Sequence, residues 1–409
     1  MIVKLKFLFA ILGFLPLNCA KSVSENMVQQ ASVIKATVAT DQVVVGAARM
    51  EIYLPVLQSA KGVGLVVNPT SSVGAQHLVD TLLASGVGVR QIFAPEHGFR
   101  GNADAGETVA DGKDKQTGLS IISLYGDNKK PKPSQLEGLD VIVFDIQDVG
   151  VRFYTYISTL HYVMEACAEQ GIKVLVLDRP NPNGHYVDGP VLDPRFKSFV
   201  GMHRVPIVHG MTVGEYAKMV NGEGWLKEGI QCELEVVPCQ NYTHATPYEL
   251  PVKPSPNLPN NRSIYLYPSL CFFEGTVVSV GRGTNTQFQV YGHPDSPIGD
   301  YYFTPEPMPG AKYPKLEGKR CRGFSLATTA PEDIRQDAHL NLNYLVGFYQ
   351  AYPDQANFFL ETLFIDKLAG TDVLRKAIIA GQSAEDIRAS WAEGLEAYRK
   401  MREDYLLYP

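Results

Sequence analysis

Residues 141–180 read VIVFDIQDVGVRFYTYISTLHYVMEACAEQGIKVLVLDRP. The run Val141 to Phe144 is apolar on consecutive residues, and so is Ile172 to Leu177. Unbroken β-branched runs of this length suit strands covered on both faces, whereas a half-exposed strand alternates apolar with polar. Between the runs, Tyr156, Leu160, Val163, Met164 and Cys167 recur at helical spacing, and Gly171 supplies the stop. Strand, helix, strand is the unit of a parallel sheet.

The same texture extends upstream, with runs at Val63 to Val67, Val89 to Ala94 and Ser120 to Leu124. The expected fold is α/β, a doubly wound parallel sheet. In such a sheet a ligand sits outside the carboxyl ends of the strands. Four polar clusters stand at those ends: Asn68 to Ser71, Pro95-Glu96-His97, Asp145 to Asp148, and Asp178 to Asn181. They are expected to meet at one crevice. From about residue 245 the chain becomes rich in Pro and Asn, then offers a short strand pattern at Gly323 to Thr328 and helical segments from Asn341 onward. This predicts a first domain over 46–244 and a smaller α+β C-terminal domain over 245–409.

Residues 1–20 carry Lys4 and Lys6, an apolar run from Phe7 to Leu17, and a small-residue end, which reads as an export signal. A second reading makes Cys19 a lipid-modified anchor. Residues 21–45 are read as a linker, and no segment approaches the length of a transmembrane span. An extracytoplasmic location is expected. The remaining cysteines, Cys167, Cys232, Cys239, Cys271 and Cys321, show no CxxC pair, so no metal site is expected; Cys232 with Cys239 is the one disulfide considered. A net charge of −6 without a Lys/Arg stripe argues against nucleic acid. There is no P-loop, HExxH or GxSxG, and no cofactor is expected.

Glu96 is the first candidate for acid/base work, because it stands at a buried strand end beside Gly98 and Gly101, which permit a tight turn. His97 and Arg100 are read as its supports at the ligand. Asp104, Glu107, Asp111 and Asp114 follow as an acidic cap, with Asp104 and Glu107 as lid carboxylates. Asp145, Gln147, Asp148, Arg152 and Tyr154 combine carboxylates, an amide, a cation and a phenol, a set suited to a sugar's hydroxyls and ring face. Asn68 is added as a substrate contact. Arg282, between Gly281 and Gly283, is read as a guanidinium held open for a carboxylate, with a structural salt bridge as the competing reading.

The motifs FAPEHGFRGNADAGE, TGLSIISLYG, VFDIQDVGVRFYTYISTL, VLDRPNPNG, PSPNLPN and FFEGTVVSVGRGT, in this order, resemble the NamZ family of exo-β-N-acetylmuramidases. The resemblance runs from about residue 45 to the C-terminus. It implies an exo-acting glycosidase that removes N-acetylmuramic acid from the non-reducing ends of peptidoglycan fragments, with a Rossmann-like catalytic domain over 46–244 and the active site in the cleft between it and the smaller C-terminal domain. It also implies that Glu96, the glutamate of PEHGFRG, is catalytic. Hydrolysis then needs a second group at the anomeric carbon, for which Asp145 and Asp148 are the candidates by placement, unless the substrate's own N-acetyl oxygen serves. Selectivity for the lactyl carboxylate needs a cation, assigned to Arg282 with Arg152 or Arg100 in reserve. Two other readings compete: a two-domain binding protein that captures a sugar or muropeptide without chemistry, and a metal-dependent esterase or deacetylase using Glu96, His97 and Asp145.

Overall fold

The computed structural model describes residues 42–96, 98–100 and 111–409. The readings of the signal segment, Cys19, most of the linker, His97, Asp104 and Glu107 fall outside the described residues.

Among the described residues, nine strands precede the C-terminal domain: β1 (Val63–Val67), β2 (Ser72–Val73), β3 (Gln76–His77), β4 (Val89–Ala94), β5 (Gly112–Lys113), β6 (Ser120–Ser123), β7 (Val141–Asp145), β8 (Lys173–Leu177) and β9 (Leu234–Val237). Seven form one sheet in the order β5-β6-β4-β1-β7-β8-β9. Every neighbouring pair is parallel except β5 with β6 at one edge. From β1 the chain builds outward through β4 to β6, then returns to the other side of β1 and continues through β7, β8 and β9. The two windings part between β1 and β7, and the crevice belongs outside the carboxyl ends there.

The unbroken apolar runs are explained by a core on each face. Val66, Phe93, Ile142, Phe144, Val174 and Val176 enter one cluster, and their neighbours Leu65, Ile92, Val143 and Leu175 enter the other. Each such side chain, fully buried, contributes roughly 1.5–3 kcal/mol. Helices Met50–Ser59 and Leu78–Ala84 cover the second face, and helices Tyr156–Gln170 and Val213–Gly222 the first. The expected Tyr156 face is buried throughout, and the helix ends at Gly171 in the left-handed conformation.

The smaller C-terminal domain holds an antiparallel sheet of β10 (Val290–His293), β12 (Cys321–Ser325) and β11 (Tyr301–Phe303), with helices around it. The first core cluster continues into it through Phe272, Phe288, Phe348 and Trp391, so the two domains share one apolar interior. The chain end also returns to the first domain. Tyr408 donates its hydroxyl to Asp178 Oδ2 (2.6 Å), and the Leu407 amide donates to Glu215 Oε1 (2.8 Å). Burial pushes Asp178 up to about 6.

Two expectations need correction. Cys232 and Cys239 are buried free thiols, not a disulfide. Strand β9 was not anticipated, because Leu234–Val237 is an edge strand whose first three residues are only partly buried, leaving a short and mixed signal.

Candidate active site

Strand β4 ends at Ala94, and the next residues turn tightly, with the Gly98 amide donating to the Pro95 carbonyl (3.1 Å) and Gly98 at a φ of 75°. The turn is anchored just beyond Glu96. Phe99 is buried edge-on against the His77 ring at 4.7 Å, and Arg100 lies over Phe99 while bonding Asp80 and Asp114. Arg100, read from sequence as a substrate contact, is thus a loop anchor. Its bonds to Asp114 hold that carboxyl down at about 2, so Asp114 is a buried strut rather than a solvated cap.

Glu96 opens into a cleft of about 240 Å³. Tyr125, Tyr154 and Tyr156 line it from the sheet domain; Tyr267, Glu274, Arg282 and Phe288 line it from the C-terminal domain. Tyr125 follows β6, and Tyr154 and Tyr156 follow β7, so one wall is built from strand ends, as the topology requires. The Tyr125 hydroxyl donates to Glu96 Oε1 at 3.0 Å. Burial first, and Glu96 second, push the Tyr125 and Tyr156 phenols well above their ordinary range, so both stay neutral donors. Tyr154 meets Tyr156 edge-on at 5.0 Å and Tyr267 at 6.0 Å, and its hydroxyl is held by the Pro254 carbonyl (2.5 Å). The walls are therefore apolar ring faces with a few fixed polar atoms, which is how saccharides are gripped.

Across the cleft, Arg282 sits between Gly281 and Gly283, whose φ values are 78° and 81°. Both lie where a β-carbon is strained, and this backbone turns the intervening guanidinium into the cleft. Its Nε donates to Glu274 Oε2 at 3.1 Å, and it stacks over Phe288 at 5.0 Å. Burial works to lower its pKa, but the Glu274 carboxylate holds it above the ordinary value. Arg282 is thus ion-paired, as the salt-bridge reading has it, and it also lines the cleft. Beneath the pair, the buried Lys315 ammonium donates to the carbonyls of Phe273 (3.1 Å), Thr276 (2.6 Å) and Val278 (3.2 Å), pinning the turn that carries Glu274. Glu274 escaped the sequence reading although it stands in FFEGTVVSVGRGT; its only signal was eight residues' separation from an arginine on an irregular segment.

The strand-end clusters do converge, but mostly beneath the cleft. Asp145 is fully buried and bound by Arg179 through Nε (2.6 Å) and Nη2 (2.9 Å), while Ser71 Oγ donates to its carbonyl. Gln147 is likewise turned toward the protein. Its amide group donates to the Asp148 and Pro180 carbonyls (2.8 and 2.7 Å), tying the end of β7 to the end of β8. Asn68 accepts from the Thr70 amide and hydroxyl (2.9 and 2.5 Å), closing the turn after β1. Arg152 is the largest correction. It is fully buried, away from the cleft, and donates to the carbonyls of Pro190 (2.9 Å), Val205 (2.7 Å), Leu368 (3.1 Å) and Ala369 (2.7 Å).

Asp148 is also buried. Its Oδ2 accepts from the Gly150 amide (2.6 Å), and His209 Nε2 lies 3.8 Å from that oxygen. Burial pushes Asp148 up to about 7 and His209 down to about 3, so each prefers its neutral form in the fold. A carboxyl raised in this way stabilises the fold below its unfolded pKa, and that contribution is lost as pH rises through about 7. Asp148→Asn keeps the acceptor and removes the titration. Its stability relative to the wild type is therefore expected to improve by about 3 kcal/mol from pH 5 to pH 8 in denaturant titrations. A difference that does not change with pH would show that Asp148 is ionised in the fold.

A doubly wound sheet with an acid at a strand end, facing an aromatic cleft that also holds a second carboxylate, defines the class: an α/β enzyme equipped to work on a saccharide. The chain belongs to the exo-β-N-acetylmuramidase NamZ family, matching its N-terminal domain over residues 63–262 and its C-terminal domain over residues 265–408. It is 38% identical over 366 residues to the peptidoglycan β-N-acetylmuramidase NamZ of Bacillus subtilis (strain 168), covering 85% of this chain and 87% of that protein. Two crystal structures of DUF1343 family proteins from Bacteroides fragilis NCTC 9343 are similar. One is 48% identical with a TM-score of 0.83, over 90% of this chain and 99% of that one. The other is 27% identical with a TM-score of 0.77, over 90% and 100%.

Proposed function

We propose that this protein is an exo-acting β-N-acetylmuramidase that removes N-acetylmuramic acid from the non-reducing ends of peptidoglycan fragments, with Glu96 as general acid. The observation that carries it is the position of Glu96: at the carboxyl end of β4, in the cleft, hydrogen-bonded by Tyr125, and within the motif on which the family resemblance rests. Tyr154 supplies a ring face to the sugar. Membership of the family and the muramidase activity named for the Bacillus subtilis relative support the substrate class. We keep the Rossmann-like reading of the sheet, supported by its strand order, and the domain division near residue 244. We also place the protein outside the cytoplasm on the strength of the Lys4 to Ala20 segment.

Arg282 reads the lactyl carboxylate. Its Nε is committed to Glu274, while Nη1 and Nη2 have no hydrogen-bond partner among the described residues and sit in the cleft. A paired guanidinium contact of this kind is worth far more to a substrate that carries the carboxylate than to one that lacks it. The test uses chromogenic glycosides of N-acetylmuramic acid and N-acetylglucosamine. The wild type is expected to release chromophore from the muramic glycoside; binding of muropeptides without release would favour a receptor. Arg282→Ala is expected to lose about 10- to 100-fold more kcat/KM on the muramic than on the lactyl-free substrate. Equal losses on both would make Arg282 only a strut for Glu274.

A further inference from the structure

Hydrolysis of a glycoside passes through a transition state with positive charge spread over the anomeric carbon and the ring oxygen. An acid alone leaves that charge unanswered. The two carboxylates expected to answer it, Asp145 and Asp148, lie buried beneath the cleft, one bound by Arg179 and the other by the Gly150 amide. Among the described residues that line the cleft, the carboxylates are Glu96 and Glu274.

These two are held in opposite ways. Glu96 accepts from the neutral phenol of Tyr125, and Glu274 is paired with the permanent positive charge of Arg282. The Glu274 side chain is 23% exposed; its Oε2 takes the guanidinium, and its Oε1 has no hydrogen-bond partner among the described residues. Its backbone is fixed from below by Lys315. A carboxylate ion-paired with a guanidinium, its backbone pinned, and with one oxygen uncommitted in the cleft is preorganised for charge that develops in a transition state. Two carboxylates in one cleft match the two roles that glycoside hydrolysis divides, acid and anion.

We infer that Glu274 is the second catalytic carboxylate, the anion that faces the sugar's anomeric carbon. The inference rests on the muramidase reading. As the C1–O bond breaks, its electron pair leaves with the aglycone oxygen, which takes the proton of Glu96, and Glu274 stabilises the cationic sugar. Water then adds its oxygen to C1 and gives a proton back to Glu96.

The test compares wild type, Glu96→Gln and Glu274→Gln on two muramic acid glycosides, one with a nitrophenol leaving group and one with a sugar. An acid matters less when the leaving group needs no proton, whereas charge at C1 must be answered in both cases. Glu96→Gln is therefore expected to recover much of its activity on the nitrophenyl glycoside. Glu274→Gln, which preserves the bond from Arg282, is expected to lose about 10³-fold or more in kcat on both, with an unchanged thermal midpoint and unchanged affinity for free N-acetylmuramic acid. Should the Gln variant fold poorly, Glu274→Asp retains the charge and is expected to lose about tenfold to a hundredfold, again equally on both. An active wild type with Glu274→Gln within tenfold of it overturns the assignment. So does a Glu274→Gln variant rescued by the nitrophenyl group, which would make Glu274 the proton donor. A wild type inactive on both glycosides overturns the muramidase reading itself and this assignment with it.

Discussion

Glu96→Gln is expected to lower kcat/KM on a muramic glycoside with a sugar leaving group by about 10³-fold, within the range that removal of a general acid costs. The amide is isosteric and still accepts from the Tyr125 hydroxyl, so the cleft keeps its shape and the fold its stability. The loss should fall on kcat rather than KM, because a proton given to the departing oxygen is an interaction of the transition state alone. Steady-state kinetics on paired wild-type and variant preparations checks this, with free N-acetylmuramic acid binding as the control for an intact cleft. A variant within tenfold of the wild type would remove Glu96 from the chemistry and leave the cleft as a binding site.

Arg152→Ala is expected to act on stability instead. Among the described residues the guanidinium has no carboxylate partner; Nη1 and Nη2 are held by four backbone carbonyls, two from the sheet domain and two from the end of helix Phe364–Ala369, while the buried Nε has no partner. Truncation leaves those carbonyls buried without donors and opens a cavity, for an expected loss of about 3–5 kcal/mol in denaturant unfolding. Arg152→Lys should recover part of this and no more, since an ammonium on a thinner stem cannot span the same fork of acceptors. The protein that remains folded should have nearly wild-type KM. A large rise in KM with little loss of stability would restore Arg152 to the substrate contacts read from the sequence.

These two residues mark what the sequence could and could not reveal. Val63 to Val67 and Val141 to Phe144 disclosed the sheet because burial on both faces leaves no polar position, and that pattern is local. Glu96 was legible for a related reason: a strand end in a parallel sheet is a predictable address. Arg152, Gln147 and Asp145 stand at equally predictable addresses, yet they turn inward to satisfy carbonyls and a guanidinium that the chain supplies from 30 to more than 200 residues away. Whether a polar side chain at a strand end faces ligand or protein depends on those distant partners, and no local pattern records them. Glu274 was missed from the other direction. It lies in the short 3-10 helix Cys271–Gly275, whose carbonyls are held by Lys315, some forty residues onward.

The return of the chain end to the sheet domain bears on how the molecule can be made. Asp178, buried at the end of β8, draws on Tyr408, and Glu215 draws on the Leu407 amide. Arg152 draws in the same way on Leu368 and Ala369. During synthesis the sheet domain emerges well before any of these, so Asp178, Glu215 and Arg152 have only part of their hydrogen bonding until the C-terminal helices have arrived. The two halves recognised as separate family domains are therefore one cooperative unit, and a fragment ending near residue 262 would leave each of these buried groups short of a partner.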